Sequence, residues 1–170
     1  MTIAPITASP AASPAAPEAA VADVSGLLPS REAVLDRLTE RLTTVAAAPA
    51  TLLVVGLLRR DDGWPTAQST LAQVTTLLAR SLRGDDWLGK SGPGEFVVLL
   101  SGPVTAAETA GARLVAAVPA LGIEGVTAAA GVAPLTSDLE AAEVLRRALL
   151  SLTAARRVGA GTVIRYREPS

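Results

Sequence analysis

The chain of 170 residues contains no cysteine and no histidine, and only 2% of its residues are aromatic. Without cysteine, neither a disulfide nor a thiolate can form. Apolar runs such as residues 52–55 and 96–100 are far too short to span a bilayer. The N-terminus lacks a basic region followed by a continuous apolar stretch, so it does not look like a secretory signal. We therefore expect a cytoplasmic protein.

The chain also lacks an excess of either charge. Fifteen basic residues stand against 16 acidic ones, which gives a net charge of −1. This balance provides no electrostatic footprint for nucleic acid or for an anionic membrane, so neither is expected as a partner. Fourteen of the 15 basic residues are arginine. Arginine suits a flat phosphate or guanine partner better than lysine does.

The composition predicts one folded domain behind a tail. Residues 1–22 are rich in Ala, Pro, Ser and Thr, contain one charge, Glu18, and have prolines at positions 5, 10, 14 and 17. These prolines forbid a continuous helix, and the segment is predicted to be disordered. Residues 23–170 are long enough for one domain with a sizeable core.

Hydrophobic patterning within residues 23–170 alternates between helix and strand. The apolar run of residues 51–58 is typical of a central strand that is covered on both faces. Helical spacing of apolar residues before and after it, a hairpin over residues 85–100, a strand over 125–134 and an edge strand over 162–167 complete the series. The order predicts an α/β sandwich, with a central mixed five-stranded sheet flanked by helices.

Several residue types indicate where the helices begin and end. Ser30 is a predicted N-cap, and Pro65 is predicted in the first turn of the second helix. Gly84 and Gly159 are predicted to end helices, Gly84 in the left-handed conformation. Two Ser/Thr-x-x-Glu patterns are predicted capping boxes: Thr105 with Glu108, and Ser137 with Glu140.

The predicted hairpin has the most distinctive local sequence, because a Gly92-Pro93-Gly94 turn joins its two strands. With Glu95 and Phe96 this turn reads Gly-Pro-Gly-Glu-Phe. It resembles the Gly-Gly-Asp/Glu-Glu-Phe signature of GGDEF-type diguanylate cyclases, in a degenerate form. Further matches to that family occur in the same order along the chain, at Asp23, Gly26, Leu27, Val126, Thr127, Gly131, Val132, Ala133, Ala155 and Gly159. The resemblance implies the nucleotidyl-cyclase type of α/β sandwich.

The resemblance also implies that the catalytic site is dismantled. In the family, carboxylates on the first strand and at the third signature position hold the metal ions that cyclise GTP. The matching positions here are Gly56 and Gly94, and only Glu95 keeps its carboxylate. We therefore expect no cyclase activity, no metal and no cofactor. Asp61 and Asp62 are either relocated metal ligands or, as such residues beside Gly and Pro more often are, a solvated turn.

A lysine near the end of the family's last helix is replaced by Arg156. Two interpretations of this arginine remain open. It could contact a phosphate, or it could simply be a cation that stabilises the helix C-terminus.

A second site of the family has the pattern expected of a retained binding site. Its Arg-x-x-Asp motif, with the Asp six residues before the first signature glycine, matches Arg83 and Asp86. The resemblance implies that this pair binds cyclic di-GMP, with Arg113 on the next helix as a third contact. An arginine can pair with guanine or a phosphodiester, and a carboxylate can accept from guanine donors. The alternative is a surface ion pair at a helix end, which is worth little energetically.

These observations lead to three hypotheses. The first is an inactive GGDEF-like domain that serves as a cyclic di-GMP receptor. The second is a nucleotide-independent pseudoenzyme that acts as a protein-interaction or dimerisation module, with a homodimer or a protein partner. An active cyclase is a distant third.

Overall fold

The computed structural model describes residues 27–59 and 67–169. The predicted tail, the resemblance at Asp23 and Gly26, and Asp61, Asp62 and Pro65 all lie outside these residues. The helices are α1 (Arg31–Leu42), α2 (Gln68–Ser81), α3 (Val104–Ala117) and α4 (Ala141–Val158). The strands are β1 (Ala50–Arg59), β2 (Trp87–Gly92), β3 (Glu95–Ser101), β4 (Val126–Pro134) and β5 (Val163–Arg165), with a 3₁₀ turn at Pro119–Leu121. Among the described helices, none has the length and apolar character needed to cross a membrane.

The five strands form one mixed sheet in the order β2-β3-β1-β4-β5. β1 lies at its centre and pairs antiparallel with both β3 and β4. The β2–β3 hairpin is antiparallel, whereas β4 and β5 run parallel. The predicted fold class and the central position of residues 51–58 are therefore confirmed.

Helices cover both faces of the sheet, and alternate residues of β1 point to opposite layers. Leu52 and Val54 pack in a core with α1 and α4, beneath Val34 and Leu145. Leu53 and Val55 pack in a second core with α2 and α3, which includes Phe96 of the hairpin. This double burial is the reason that β1 reads as a continuous apolar run rather than as an alternating one.

Gly131 of β4 allows helix α4 to lie directly on the sheet. A Cβ atom at this position would collide with the backbone carbonyl oxygen of Ala148 and the backbone nitrogen of Leu152. Only a residue without a side chain permits this approach. The close contact brings the last turns of α4, including Arg156, next to β1.

The structure corrects three predicted helix boundaries. Helix α2 ends at Ser81, with Leu82 extended, and Gly84 is not among the glycines with a left-handed backbone. Neither predicted capping box forms, because α3 has Pro103 as its N-cap and α4 has Glu140, without a side-chain cap in either case. Ser30 is the N-cap residue of α1, but its side chain makes no capping hydrogen bond. Gly159 does end α4, with a φ of 132° and its N–H donating to Ala155.

Side chains after β5 hold the end of the chain against α4. The guanidinium of Arg147 lies over the Tyr166 ring, 4.8 Å from its centre, and pairs with Glu168 at 2.9 Å. Arg146 and Arg147 both donate to Glu143, each with a nitrogen–oxygen distance of 2.8 Å or less. These hydrogen bonds lower the pKa of Glu143 to about 2.

Candidate functional site

The three residues of the predicted ligand site line one cavity. Arg83 and Asp86 follow the C-terminal end of α2, and Arg113 lies on α3. The cavity has a volume of about 320 Å³ and opens where β3 ends. Its other lining residues are Ser81, Leu82, Asp85, Leu100, Ser101, Ala106, Ala107, Ala110, Leu114 and Ala117. The fold thus brings Arg113 to the pair from which it is separated by about thirty residues of sequence.

A tight turn fixes the positions of Arg83 and Asp86. The backbone N–H of Arg83 donates to Oδ2 of Asp86 at 2.9 Å, and the N–H of Asp86 donates to the Arg83 carbonyl at 3.0 Å. Such a side-chain-to-backbone bond is the usual reason for an aspartate in a turn. Asp86 therefore has a structural role whether or not a ligand binds.

The side chains of Arg83 and Arg113 at this cavity are exposed. Within the described residues, neither Arg83 nor Arg113 forms an ion pair or a side-chain hydrogen bond. The alternative of an Arg83–Asp86 surface ion pair is accordingly not what the structure contains. Two such guanidinium groups at one cavity could donate hydrogen bonds to an anion or to a guanine edge.

The cavity surface between Arg83 and Arg113 is apolar and consists mostly of short side chains. Helix α3 contributes mainly alanine to it, and Leu82 and Leu100 complete the surface. Side chains that end at Cβ leave space for a flat ring to approach the helix. The cavity therefore combines an apolar surface for a planar group with cations at its rim, as small-molecule sites commonly do.

The hairpin turn lies at the opposite end of β3. β3 is seven residues long from Glu95 to Ser101, and the six steps between these two residues correspond to roughly 20 Å at about 3.3 Å per residue. In the turn, Pro93 precedes Gly94, whose φ is 67°. Proline followed by glycine in the left-handed region is the arrangement of a type II turn. A carboxylate-bearing residue at position 94 would be strained in this conformation.

Both oxygens of the remaining carboxylate, Glu95, already have partners. The Ser91 hydroxyl donates to its Oε1 at 3.0 Å, and Nη1 of Arg156 donates to its Oε2 at 3.3 Å. The side chains of Arg156 and Glu95 are 31% and 24% exposed, so the ion pair is partly shielded from water. Arg156 lies in the last turn of α4, which agrees with its interpretation as a cation at the helix C-terminus, and its side chain also pairs with the hairpin. Contact with a phosphate stays a prediction.

Arg156 also lies against Gly56 of β1. A Cβ at Gly56 would be 2.5 Å from Nη2 of Arg156 and 2.9 Å from Cδ1 of Leu152. Gly56 is the cross-strand partner of Glu95. Sequence reasoning missed this arrangement, since 61 residues separate the two charges. The sequence does contain a sign of it: Gly56 stands where the resembled family has an acid, and Arg156 stands where that family has a lysine.

The hairpin end of the sheet does not fit a pair of divalent metal ions. In residues 27–59 and 67–169 there is no group of three acidic, histidine or cysteine side chains placed to hold a metal. Such ions need several oxygen ligands. Glu95 offers a single carboxylate, and Arg156 already neutralises it. The alternative ligands, Asp61 and Asp62, lie outside the described residues.

A second cavity, of about 360 Å³, is lined by the hairpin turn, including Gly94 and Glu95. It lies between the turn and the start of α2, and Arg31 and Lys90 supply its cations. It is a second cavity in which a small ligand could bind.

Comparison with known proteins identifies the fold. The sequence matches no family model and no curated protein. Solved structures do match: the active GGEEF domain of a diguanylate cyclase from Vibrio cholerae has a TM-score of 0.72 at 18% identity, over 84% of this chain and 99% of that one. The GGDEF domain of DgcB from Caulobacter crescentus, in complex with c-di-GMP, gives 0.72 at 18%, over 83% and 90%. The GGDEF domain of FimX from Pseudomonas aeruginosa gives 0.70 at 24%, over 80% and 93%.

Proposed function

We propose that this chain, which has the fold of a GGDEF domain, is a receptor for cyclic di-GMP and has no diguanylate cyclase activity. The receptor site is the cavity lined by Arg83, Asp86 and Arg113. The hairpin site at the other end of β3 is not a catalytic centre.

One observation carries the binding proposal: two arginines that have no ion-pair partner among the described residues, together with one aspartate, line a single cavity of about 320 Å³. The ligand has two guanines and two phosphodiester groups. A guanidinium can donate two parallel hydrogen bonds to guanine O6 and N7 or to a phosphate. A carboxylate oxygen of Asp86 can accept from the guanine N1–H and amino group, and the alanine surface of α3 suits the face of the base.

The comparison with DgcB supports the choice of ligand. Its GGDEF domain has been solved in complex with c-di-GMP and shares this fold at a TM-score of 0.72. A chain with the same fold therefore can hold this molecule. Transfer of the ligand to the present chain rests on its own cavity residues, because 18% identity establishes the fold alone.

The absence of cyclase activity is proposed from the hairpin site. Cyclisation of GTP requires metal ions that neutralise the triphosphate and activate the attacking hydroxyl. Gly56 and Gly94 provide no carboxylate, and Glu95 is paired with Arg156. A guanidinium and a single neutralised carboxylate cannot supply this chemistry.

Calorimetric titration with cyclic di-GMP, and separately with GTP, tests the receptor proposal. We expect saturable heat with cyclic di-GMP that is lost in Arg83→Ala and retained in Arg80→Ala. Arg80 is a matched control, since it is exposed in the last turn of α2 and does not line the cavity. No heat with the wild-type protein would contradict the proposal.

The hydrogen bond between Asp86 and the Arg83 backbone favours a second candidate, a nucleotide-independent interaction module. In that case the Arg-x-x-Asp pattern survives because it closes a turn. Asp86→Asn would then preserve the fold and every interaction of the protein. Under the receptor proposal, Asp86→Asn keeps the turn, because an amide oxygen still accepts the N–H, but weakens cyclic di-GMP binding.

A further inference from the structure

Asp85 is a second acid at the cavity that Arg83 and Arg113 line. It lies in the turn between α2 and β2, lines the same cavity and is exposed. Among the described residues, its carboxylate has no ion-pair partner and no hydrogen-bond partner. Both of its oxygens are therefore available to a ligand.

The turn holds the backbone of Asp85 in place from both sides. Arg83 and Asp86 occupy its first and fourth positions, and the Asp86 N–H donates to the Arg83 carbonyl at 3.0 Å. The return bond, from the Arg83 N–H to Oδ2 of Asp86 at 2.9 Å, occupies one oxygen of that carboxylate. Asp85, at the third position, is thus presented by the turn, whereas the side chain that closes the turn belongs to Asp86.

The charges of the cavity lining balance. The described lining contains two arginines and two aspartates, and its other residues are uncharged. A carboxylate weakens a site for phosphate, since like charges repel. A nucleobase edge that has both acceptors and donors fits this lining better. Guanine has acceptors at O6 and N7 for a guanidinium, and adjacent donors at N1 and the 2-amino group for a carboxylate.

We propose that Asp85 determines the base specificity of the cavity, because its two oxygens accept hydrogen bonds from the N1–H and the 2-amino group of guanine. Asp86 holds the turn and offers the ligand only its other oxygen. The inference rests on the proposed cyclic di-GMP function and adds the residue that distinguishes guanine from adenine. Adenine has no proton on N1, so it cannot form this pair of hydrogen bonds with a carboxylate.

Calorimetric titration with cyclic di-GMP and with cyclic di-AMP tests the inference, because the two molecules differ only in their bases. We expect the wild-type protein to prefer cyclic di-GMP. Asp85→Asn replaces one acceptor oxygen by an amide donor, and an amide pairs with adenine. This variant is expected to bind cyclic di-GMP about tenfold more weakly, and cyclic di-AMP more tightly, than the wild type does.

Two further variants separate base recognition from charge. Asp85→Ala should weaken the binding of cyclic di-GMP but not that of cyclic di-AMP, because it removes the acceptors without supplying a donor. The matched control is Asp36→Asn, which changes an exposed aspartate of α1 that does not line the cavity. It should keep the wild-type preference. Circular dichroism checks that each variant folds.

The outcomes distinguish this inference from the proposed function. No binding of cyclic di-GMP by the wild-type protein would overturn both. Binding of cyclic di-GMP by the wild type, with the same preference in Asp85→Asn, would leave the receptor in place and overturn the role of Asp85 alone. Equal affinity of the wild type for the two ligands would also overturn that role. So would tighter binding of both ligands by Asp85→Asn, since the carboxylate would then act only through its charge.

Discussion

Gly56 of β1 lies directly opposite Glu95 of β3, and the Arg156 guanidinium contacts both positions. The Arg156 side chain thus occupies the place where catalysis of the cyclase type would require carboxylates and metal ions. Purified protein should accordingly form no cyclic di-GMP from GTP with either Mg²⁺ or Mn²⁺, as measured by chromatography of the reaction mixture. Product that disappears on Glu95→Ala would contradict the prediction.

Introducing aspartate at positions 56 and 94 should not give the protein cyclase activity. Gly56→Asp places its carboxylate against the Arg156 guanidinium, so the new acid would form an ion pair rather than a metal site. Gly94→Asp requires a left-handed backbone, with φ at 67°, which disfavours any residue with a side chain. The double variant should therefore be as inactive as the wild type in the same assay, and measurable turnover would show that carboxylates alone had been missing.

Cyclic di-GMP should raise the Tm, because a ligand that binds only the folded state stabilises it. Arg83→Ala should abolish most of the shift, and Arg83→Lys much of it, since lysine cannot form the two-pronged contact. Arg113→Ala should reduce the shift, and Arg80→Ala should leave it intact. A full shift in every cavity variant would place the ligand elsewhere, with the cavity beside Arg31 and Lys90 as the next position to test.

Ligand should also promote assembly. Cyclic di-GMP consists of two chemically equivalent GMP halves, and Arg83, Asp86 and Arg113 lie at a cavity that opens to solvent. A second copy of the chain could bind the other half, which would give a two-fold dimer held by the nucleotide. Light scattering should show a doubled mass at saturating ligand that declines as salt rises, because the contacts join arginines to phosphates. A mass that stays monomeric would leave a receptor of one subunit, whereas a dimer without ligand would favour the interaction module.

The lowered pKa of Glu143 makes the free energy of unfolding depend on pH. The hydrogen bonds from Arg146 and Arg147 lower its pKa from 4.5 to about 2 in the folded state. Because the pKa of Glu143 is lower in the folded state, its hydrogen bonds contribute fully to the free energy of unfolding above about pH 4.5. This contribution is lost as the pH falls toward 2. Urea denaturation should show Glu143→Gln less stable than wild type at neutral pH, with the difference shrinking through this window.

The close approach at Gly131 predicts a large effect of a single methyl group. Gly131→Ala should cost about 1–3 kcal/mol, because the methyl group meets the α4 backbone, which cannot move aside without disturbing the sheet. Gly84→Ala is the matched control, since a Cβ there meets nothing within 4 Å. Its effect should stay within about 0.5 kcal/mol. Equal stability of the two variants in chemical denaturation would contradict this account of α4 packing.

The pattern of apolar residues was enough to predict the order of the helices and strands and a mixed five-stranded sheet. The run at residues 51–58 could only be buried on both faces, and helical spacing of apolar residues around it left one layer of helices on each side of the sheet. Which side chains become buried depends on the spacing of apolar residues along the chain, and this spacing can be read from the sequence. Helix ends were less certain: Gly84 and the two capping boxes satisfied local rules, but Leu82 extends instead, and Pro103 and Glu140 take the cap positions.

The contacts of the charged residues could not be predicted in the same way, because they form only in the folded chain. The sequence named Arg83, Asp86 and Arg113 through a family resemblance, yet the fold alone brings Arg113 to the cavity and shows that Asp86 binds the Arg83 backbone. The pairing of Arg156 with Glu95 was not predictable, because a salt bridge depends on distance in space and leaves no periodic trace in the chain. The close packing of α4 on Gly131 is what carries Arg156 to β1, and that contact exists only once the sheet and the helix have come together.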